Sequence, residues 1–169
     1  MNILFLCTHN ACRSILAEAI FRHIAKKLGV KAQIYSAGSA PRGQVHPLTL
    51  QYLTDWHINT TELFSKSWDD LANLMPDVVI TVCDQVAGES CPVWFGKAVK
   101  AHWSLPDPTR AGLSEPQQQQ EFAALFQALQ LRANALFQMA SHADSAALSA
   151  IAERFPIKIG DIANHQAKE

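Results

Sequence analysis

The sequence of 169 residues lacks an apolar run long enough to span a bilayer, and it lacks an N-terminal charged region followed by a long apolar core. No secretory signal is recognisable, so the expected location is cytoplasmic. An excess of one charge is also missing, because 14 lysines and arginines nearly balance 15 aspartates and glutamates, leaving a formal net charge of −1. This balance gives no reason to expect a nucleic-acid partner or a membrane partner.

Internal repeats, low-complexity segments and linker-like stretches are absent as well. The apolar content of 49% and the charged content of 17% are those of an ordinary globular protein. The length is sufficient for one substantial hydrophobic core. We therefore expect a single domain over residues 1–169, in which 144–169 forms a C-terminal helix and tail.

Cysteine is sparse, and its four positions are Cys7, Cys12, Cys83 and Cys91. In a reducing compartment, cysteines more often serve redox, metal or nucleophilic chemistry than permanent disulfides. The chain has no Cys-x2-Cys pair and no compact histidine pair, so its spacing argues against zinc, and no metal site is predicted. The simplest alternative for each cysteine is a small buried hydrophobe.

Hydrophobic periodicity predicts alternating strands and helices. Predicted strands cover 2–6, 32–37, 77–83 and 98–105. Predicted helices cover 14–28, about 47–56, 67–74, 121–140 and 144–155. This alternation favours a doubly wound parallel α/β sheet, in which ligands bind beyond the carboxyl ends of the strands where the strand order reverses. Cys7 and Cys83 end the first and third predicted strands.

The segment 3–16, ILFLCTHNACRSIL, places polar residues between a buried strand and a helix. A loop in this position can direct backbone N–H groups inward, and the helix N-terminus adds partial positive charge. Arg13 offers a planar fork for a tetrahedral oxyanion, and Asn10 tolerates the left-handed backbone that such a curl requires. These donors and the Ser14 hydroxyl are expected to lower the pKa of Cys7 and to arm it as a nucleophile. The predicted oxyanion-binding loop comprises Thr8, His9, Asn10, Ala11, Cys12, Arg13 and Ser14.

Three segments resemble the low-molecular-weight protein tyrosine phosphatase superfamily. LFLCTHNACRS is similar to the active-site loop of that superfamily, and TVCDQVAGESCPVWFG and HWSLPDP are similar to its arsenate reductase branch. The resemblance implies a four-stranded parallel sheet in the order 2-1-3-4. It also implies that Cys7 is the nucleophile, Arg13 the oxyanion clamp and Asp107 the acid near the leaving group. Without the resemblance, Asp107 in LPDP would be interpreted as a turn former.

A reductase of this kind needs further thiols, whereas a phosphatase does not. Adjacent parallel strands lie about 4.8 Å apart, so Cys83 can reach a Cys7–arsenic adduct and release arsenite by forming a Cys7–Cys83 disulfide. Cys91 would then attack Cys83, and an external thiol reductant would recycle the Cys83–Cys91 disulfide. In a helical segment the Cα atoms of Cys83 and Cys91 would be about 12 Å apart, too far for a disulfide, so residues 84–92 are predicted to rearrange on oxidation.

The electron donor is expected to be thioredoxin or glutathione with glutaredoxin, and no bound cofactor is expected. Gln85 is incompatible with the Cys-x-Cys arrangement of glutaredoxin-coupled relatives, which favours thioredoxin. Thr109 stands after Asp107-Pro108, where the phosphatase branch carries tyrosine. Arsenate or another small tetrahedral oxyanion is therefore a better predicted substrate than phosphotyrosine. Two alternatives remain open: a phosphomonoester phosphatase that works through a phosphocysteine, and a non-catalytic oxyanion-binding redox module.

Overall fold

The computed structural model describes residues 1–84, 95–139 and 143–159. Its strands are β1 (Asn2–Cys7), β2 (Gln33–Gly38), β3 (Val78–Thr81) and β4 (Val99–His102). Its helices are α1 (Arg13–Leu28), α2 (Pro47–Asp55), a 3-10 helix (Trp68–Leu71), α3 (Glu115–Phe137) and α4 (Ser145–Arg154). The strands form one parallel sheet in the order β2-β1-β3-β4. The predicted fold class and strand order are confirmed.

Strand β1 lies in the middle of the sheet, and this position explains its composition. Leu4 is in register with Tyr35 of β2 on one side and with Val79 of β3 on the other. A central parallel strand is covered on both faces, so its residues from Ile3 to Cys7 are buried without alternation. The strand order reverses around β1, and its carboxyl end therefore lies at the edge where such sheets bind ligands.

Helix α3 begins earlier in the chain than the hydrophobic pattern predicts. The Ser114 hydroxyl accepts a hydrogen bond from the Gln117 amide at 3.2 Å, and the Gln117 side chain accepts one from the Ser114 amide at 2.9 Å. This reciprocal capping box starts the helix inside a polar segment that carries no apolar stripe. The predicted helix over 67–74 is only the 3-10 helix, which Ser67 caps by accepting a hydrogen bond from the Asp69 amide.

Strands β3 and β4 are shorter than predicted because the chain leaves regular pairing near their carboxyl ends. Backbone hydrogen bonds nevertheless continue, from Trp103 N to Thr81 O at 2.8 Å and from Leu105 N to Val82 O at 3.0 Å. These bonds carry the chain of 103–105 alongside the residues that lead to Cys83. The segment that precedes Asp107 is thereby held at the same edge of the sheet as Cys7.

Helix α1 packs between the sheet and α3 in the hydrophobic core. The Phe21 ring of α1 lies 4.8 Å from the Phe5 ring, 5.8 Å from Trp103 and 5.9 Å from Phe137, measured between centroids. Burying a phenylalanine side chain of this kind stabilises the fold by about 2–3 kcal/mol. Because both β1 and α1 are fixed by this packing, the loop that joins them has rigid ends. None of the helices in the described ranges is long and apolar enough to cross a membrane.

Candidate active site

The loop from Cys7 to Arg13 is shaped from inside by the side chain of Asn10. Asn10 has a φ of 46°, the left-handed backbone predicted for this position. Its amide nitrogen donates to Ser14 Oγ at 2.8 Å and to Ser36 Oγ at 3.0 Å, while its oxygen accepts from the Lys66 amide at 3.0 Å. The predicted hydrogen bond from Ser14 to the Cys7 sulfur is not among those of the described residues. Ser14 holds the loop in shape through Asn10 instead.

The loop carbonyls point outward, toward the segment that precedes α2. Thr8 O accepts from Ala40 N at 2.9 Å, His9 O from Arg42 N at 3.0 Å and Ala11 O from His46 N at 2.9 Å. Because the N–H of a trans peptide points opposite to its carbonyl, the amides that follow these carbonyls face the interior of the loop. The His9 amide donates to the Cys7 sulfur in this way. The cradle of inward N–H groups is the geometry of an anion-binding nest.

Gly38 permits the close approach of β2 to this loop. A Cβ atom at this position would lie 2.5 Å from the carbonyl oxygen of Thr8 and 3.1 Å from Asn10 atoms. The predicted strand over 32–37 stops one residue before Gly38, and no role in the site was predicted for Gly38. The parallel register that sets Gly38 opposite Cys7 is what makes any larger residue clash there.

A buried cluster of charges lies behind the loop, and sequence reasoning missed it. Glu18 of α1 is 1% exposed and accepts hydrogen bonds from Ser36 Oγ and from Arg22 Nη2, the latter at 2.7 Å. Lys66 Nζ lies 3.7 Å from Glu18 Oε1. Burial lowers the pKa of Lys66, and the neighbouring Glu18 carboxylate opposes that shift. One signal in the sequence was available, since Glu18 follows Ser14 by one helical turn on the apolar face of α1.

Cys7 and Cys83 lie in contact at the carboxyl edge of β1 and β3. Their side chains share a hydrogen bond, and both thiols are buried. The Thr8 amide donates to Cys83 Sγ at 3.2 Å, and Thr8 Oγ1 hydrogen-bonds the same sulfur at 3.4 Å. The first amide of the loop thus holds the second cysteine next to the first.

The pKa of Cys7 is raised, contrary to the sequence expectation. The hydrogen bond with Cys83 is the largest cause, burial is the next, and negative charge on Cys83 adds to both. Arg13 and the His9 amide act in the opposite direction and are outweighed. The prediction considered only the donors of the loop, whereas the fold adds a second ionisable sulfur that competes for negative charge. When two groups are this strongly coupled, ionisation belongs to the pair.

The other loop cysteine has different surroundings. Burial raises the pKa of Cys12 to about 12, although a hydrogen bond with the Thr49 side chain partly offsets the shift. Cys91 lies outside the described residues, as does most of the segment 84–92 whose rearrangement was predicted. In the portions of the chain that are described, no group of three or more histidines, cysteines or acidic residues could hold a metal ion.

Arg13 and Asp107 lie across a small depression whose walls include Cys7, Cys12, Arg42 and Thr109, with a cavity volume of about 30 Å³. Arg13 Nη1 donates to Leu105 O at 3.3 Å, and its Nη2 lies 4.0 Å from Asp107 Oδ2. Burial favours the neutral form of Asp107, but hydrogen bonds from Thr109 and the charges of Arg13 and Arg42 prevail and lower its pKa. Asp107 and five residues of the predicted site surround one opening, which suits a small tetrahedral anion; the five are Cys7, His9, Ala11, Cys12 and Arg13. The other predicted loop residues, Thr8, Asn10 and Ser14, are buried and do not line it.

The parallel sheet in the order β2-β1-β3-β4 carries a cysteine-containing anion loop at the end of β1, where the strand order reverses. This combination of fold and site defines a structural class, and the proteins similar to this chain belong to it. A profile described as low molecular weight phosphotyrosine protein phosphatase matches residues 2–147, and the chain belongs to this family. Arsenate reductase 2 of Staphylococcus saprophyticus is 35% identical over 114 residues, which cover 68% of this chain and 83% of that protein.

Solved structures agree with this assignment. The thioredoxin-dependent arsenate reductase of Corynebacterium glutamicum is 30% identical, with a TM-score of 0.57 over 76% of this chain and 57% of that one. The YwlE arginine phosphatase of Bacillus subtilis, with a phosphorylated serine at its active site in a Cys-to-Ser mutant, is 25% identical. Its TM-score is 0.60, and the match covers 83% of this chain and 98% of that one. The family thus contains both reductases and phosphatases.

Proposed function

We propose that the protein reduces arsenate to arsenite through Cys7, Cys83 and Cys91. The observation that carries the proposal is the contact between the Cys7 and Cys83 side chains beside the anion cradle, with Cys83 held by the Thr8 amide. A phosphatase needs one sulfur in this position. Two electrons for arsenic require two sulfurs that can join, and a disulfide demands an S–S distance of about 2.05 Å that only neighbouring thiols reach without a large movement.

In the first step, the Cys7 thiolate attacks arsenic, an S–As bond forms and an oxygen leaves as water. Arg13 and the loop amides stabilise the charge on the arsenate oxygens. In the Cys7–Cys83 pair the shared hydrogen bond favours a proton on Cys7. Cys7 becomes the attacking thiolate when this proton passes to Cys83 along the same hydrogen bond. The two protons of that water come from dihydrogen arsenate, and the Asp107 carboxylate at the rim passes one of them from a retained oxygen to the leaving oxygen.

In the second step, the Cys83 sulfur attacks the Cys7 sulfur. The S–S bond forms as the S–As bond breaks, and its electron pair remains on arsenic, which leaves as arsenite. Cys91 then attacks Cys83, restores Cys7 as a thiolate and forms a Cys83–Cys91 disulfide. An external dithiol reductant then reduces this disulfide by thiol–disulfide exchange. The thioredoxin-dependent relative and the absence of a Cys-x-Cys pair at Gln85 support thioredoxin as that reductant.

Cysteine variants assayed with two substrates test the proposal. Cys83→Ser and Cys91→Ser should both stop multiple-turnover arsenate reduction and retain p-nitrophenyl phosphate hydrolysis, which needs only Cys7 as the sulfur nucleophile. The two variants should differ in a single turnover. Cys91→Ser releases one arsenite per protein and traps the Cys7–Cys83 disulfide, whereas Cys83→Ser releases none. Sustained arsenate turnover in both variants would contradict the relay.

Phosphomonoester hydrolysis is the second candidate function, because Cys7, Arg13 and Asp107 are sufficient for it and the family includes phosphatases. In that case Cys7→Ser abolishes ester hydrolysis and wild-type protein produces no arsenite with any thiol donor. A non-catalytic oxyanion-binding module predicts that arsenate binds and neither reaction turns over. The same assays separate the three functions.

A further inference from the structure

The carboxylate of Asp107 is capped by the residue two positions later in the chain. Thr109 N–H donates to Asp107 Oδ1 at 2.9 Å, and the Thr109 hydroxyl donates to the same oxygen at 2.7 Å. Two donors on one oxygen favour the ionised carboxylate, since a proton on that oxygen would have to displace one of them. The other oxygen, Oδ2, faces Arg13 Nη2 at 4.0 Å. Both oxygens of Asp107 therefore face donors or positive charge.

The charged groups around Asp107 act in the same direction. Arg13 on α1 and Arg42 from the segment before α2 both lower the pKa of Asp107, against the effect of burial. Cys12, which also lines the depression, is neutral at ordinary pH because burial raises its pKa to about 12. His9 is the remaining titratable group at the opening besides Cys7. No carboxylate of the described residues that line the depression accompanies Asp107 to favour its protonated form.

The backbone that carries Asp107 is fixed from α3. Arg110 Nη1 donates to the Asp107 carbonyl oxygen at 2.9 Å. The same guanidinium makes a two-pronged pair with the buried carboxylate of Glu121, at 2.6 Å and 2.5 Å. The turn cannot rotate away from Thr109 without breaking this pair. The hydrogen bonds from Thr109 to Asp107 therefore lie in a turn whose backbone is held by the contacts of Arg110 with α3.

This cap affects two kinds of substrate differently. When Cys7 attacks a phosphate monoester, the S–P bond forms, the P–O bond breaks, and a poor leaving group such as phenoxide must take a proton as it departs. An ionised Asp107 has no proton to give. Dihydrogen arsenate, which is abundant near neutral pH, carries two protons of its own. The Asp107 carboxylate can pass one of them from a retained oxygen to the departing oxygen, which then leaves as water. An ionised Asp107 therefore slows the reaction of a phosphate ester but does not slow the reaction of an inorganic oxyanion such as arsenate.

We propose that Thr109 is a specificity-determining residue, which by capping Asp107 as a carboxylate withholds a proton from ester leaving groups and selects inorganic oxyanions over phosphate monoesters. The inference rests on the proposed attack by Cys7. It gives a positive role to the threonine that stands where the phosphatase branch carries tyrosine.

Leaving-group dependence tests the inference. We would measure kcat/KM for phenyl phosphate and for p-nitrophenyl phosphate with wild type, Thr109→Val and Thr109→Ser. Valine keeps the amide and removes the hydroxyl, so the pKa of Asp107 rises and the protonated fraction of Asp107 above that pKa rises with it. Phenyl phosphate should gain about fivefold to tenfold relative to p-nitrophenyl phosphate, whose leaving group needs little protonation. Thr109→Ser keeps the hydroxyl and should resemble wild type.

The pH profile supplies a readout that a merely structural change would not move. Esterase activity that needs protonated Asp107 is lost as pH rises through its pKa, so the alkaline limb of the pH profile for phenyl phosphate should shift to higher pH in Thr109→Val. Adding Asp107→Asn to Thr109→Val should remove the gain. An unchanged ratio of the two esters, an unmoved limb, or a gain that survives Asp107→Asn would each overturn the inference. Arsenate reduction is assayed separately, so failure of the reductase proposal leaves this result readable.

Discussion

Replacing Cys83 by alanine should make Cys7 more acidic and more reactive at neutral pH. The hydrogen bond with Cys83 is the largest cause of the raised pKa of Cys7, and negative charge on Cys83 raises it further. Two unit charges about 4 Å apart interact by about 4 kcal/mol at an effective dielectric constant of 20, which corresponds to about three pKa units. Burial remains in the variant, while Arg13 and the His9 amide continue to favour the thiolate.

We therefore expect the pKa of Cys7 to fall by about one to three units in Cys83→Ala, because part of the charge effect is absent whenever Cys83 is protonated. Even the lower bound increases the thiolate fraction of Cys7 about tenfold at a pH below its pKa. The increase should appear as faster alkylation of Cys7 by iodoacetamide. Tandem mass spectrometry of the tryptic peptide 1–13, which contains both Cys7 and Cys12, locates the alkylated residue and so separates this signal from Cys12 and Cys91.

Measured across pH, the alkylation rate gives the apparent pKa of Cys7 directly. Cys91→Ser is the matched control, because it also removes one thiol and leaves Cys83 in place. Its profile should coincide with that of wild type. A Cys83→Ala protein whose alkylation profile is unchanged, or shifted to higher pH, would refute the coupling of the two sulfurs. The same variant should lose multiple-turnover arsenate reduction.

Three further substitutions probe the surroundings of the loop. Gly38→Ala places a methyl group 2.5 Å from the Thr8 carbonyl. The free energy of unfolding should therefore fall by about 1–3 kcal/mol in denaturant titrations. Undiminished stability would show that β2 and the loop from Cys7 to Arg13 separate easily. Lys66→Met removes the buried ammonium 3.7 Å from Glu18. We expect the free energy of unfolding to fall by about 2–4 kcal/mol in the same titrations, and to fall less in Lys66→Arg. Equal losses in the two variants would argue against an electrostatic role. Thr8→Val removes the hydroxyl that contacts the Cys83 sulfur. In single-turnover rapid-quench experiments, formation of the Cys7–Cys83 disulfide should slow about threefold to tenfold in Thr8→Val and keep its wild-type rate in Thr8→Ser. Equal rates in the two variants would exclude a role for the hydroxyl.

The loop around Cys7 illustrates what could be predicted from sequence. The spacing of Cys7, Asn10 and Arg13 lies within one strand-to-helix connection, so local rules on left-handed residues and helix N-termini were sufficient to predict its shape. Asn10 has the predicted backbone, and Arg13 begins α1 within reach of the opening. The strand order followed from a family resemblance, since strand alternation alone does not specify which strands are neighbours.

The sign of the Cys7 pKa shift could not be predicted in the same way. Local sequence shows the donors that approach a sulfur, but it does not show a thiol that arrives from another strand. Cys83 lies far away in the chain and comes into hydrogen-bond contact with Cys7 only because β1 and β3 are paired. The Thr8 amide then binds Cys83 at 3.2 Å. A prediction that treated Cys7 in isolation was therefore wrong in direction.

Chain order alone was enough to indicate a doubly wound sheet, a cysteine at the carboxyl end of its first strand and an arginine at the start of the next helix. These features depend on periodicity and on residues that are neighbours along the backbone. Tertiary packing set the charge of the site, because Cys83 and Lys66 reach Cys7 and Glu18 through contacts that depend on where the strands and loops lie in space. Electrostatic interactions act over a few ångströms of separation regardless of chain distance, so the ionisation of these groups is a property of the folded molecule.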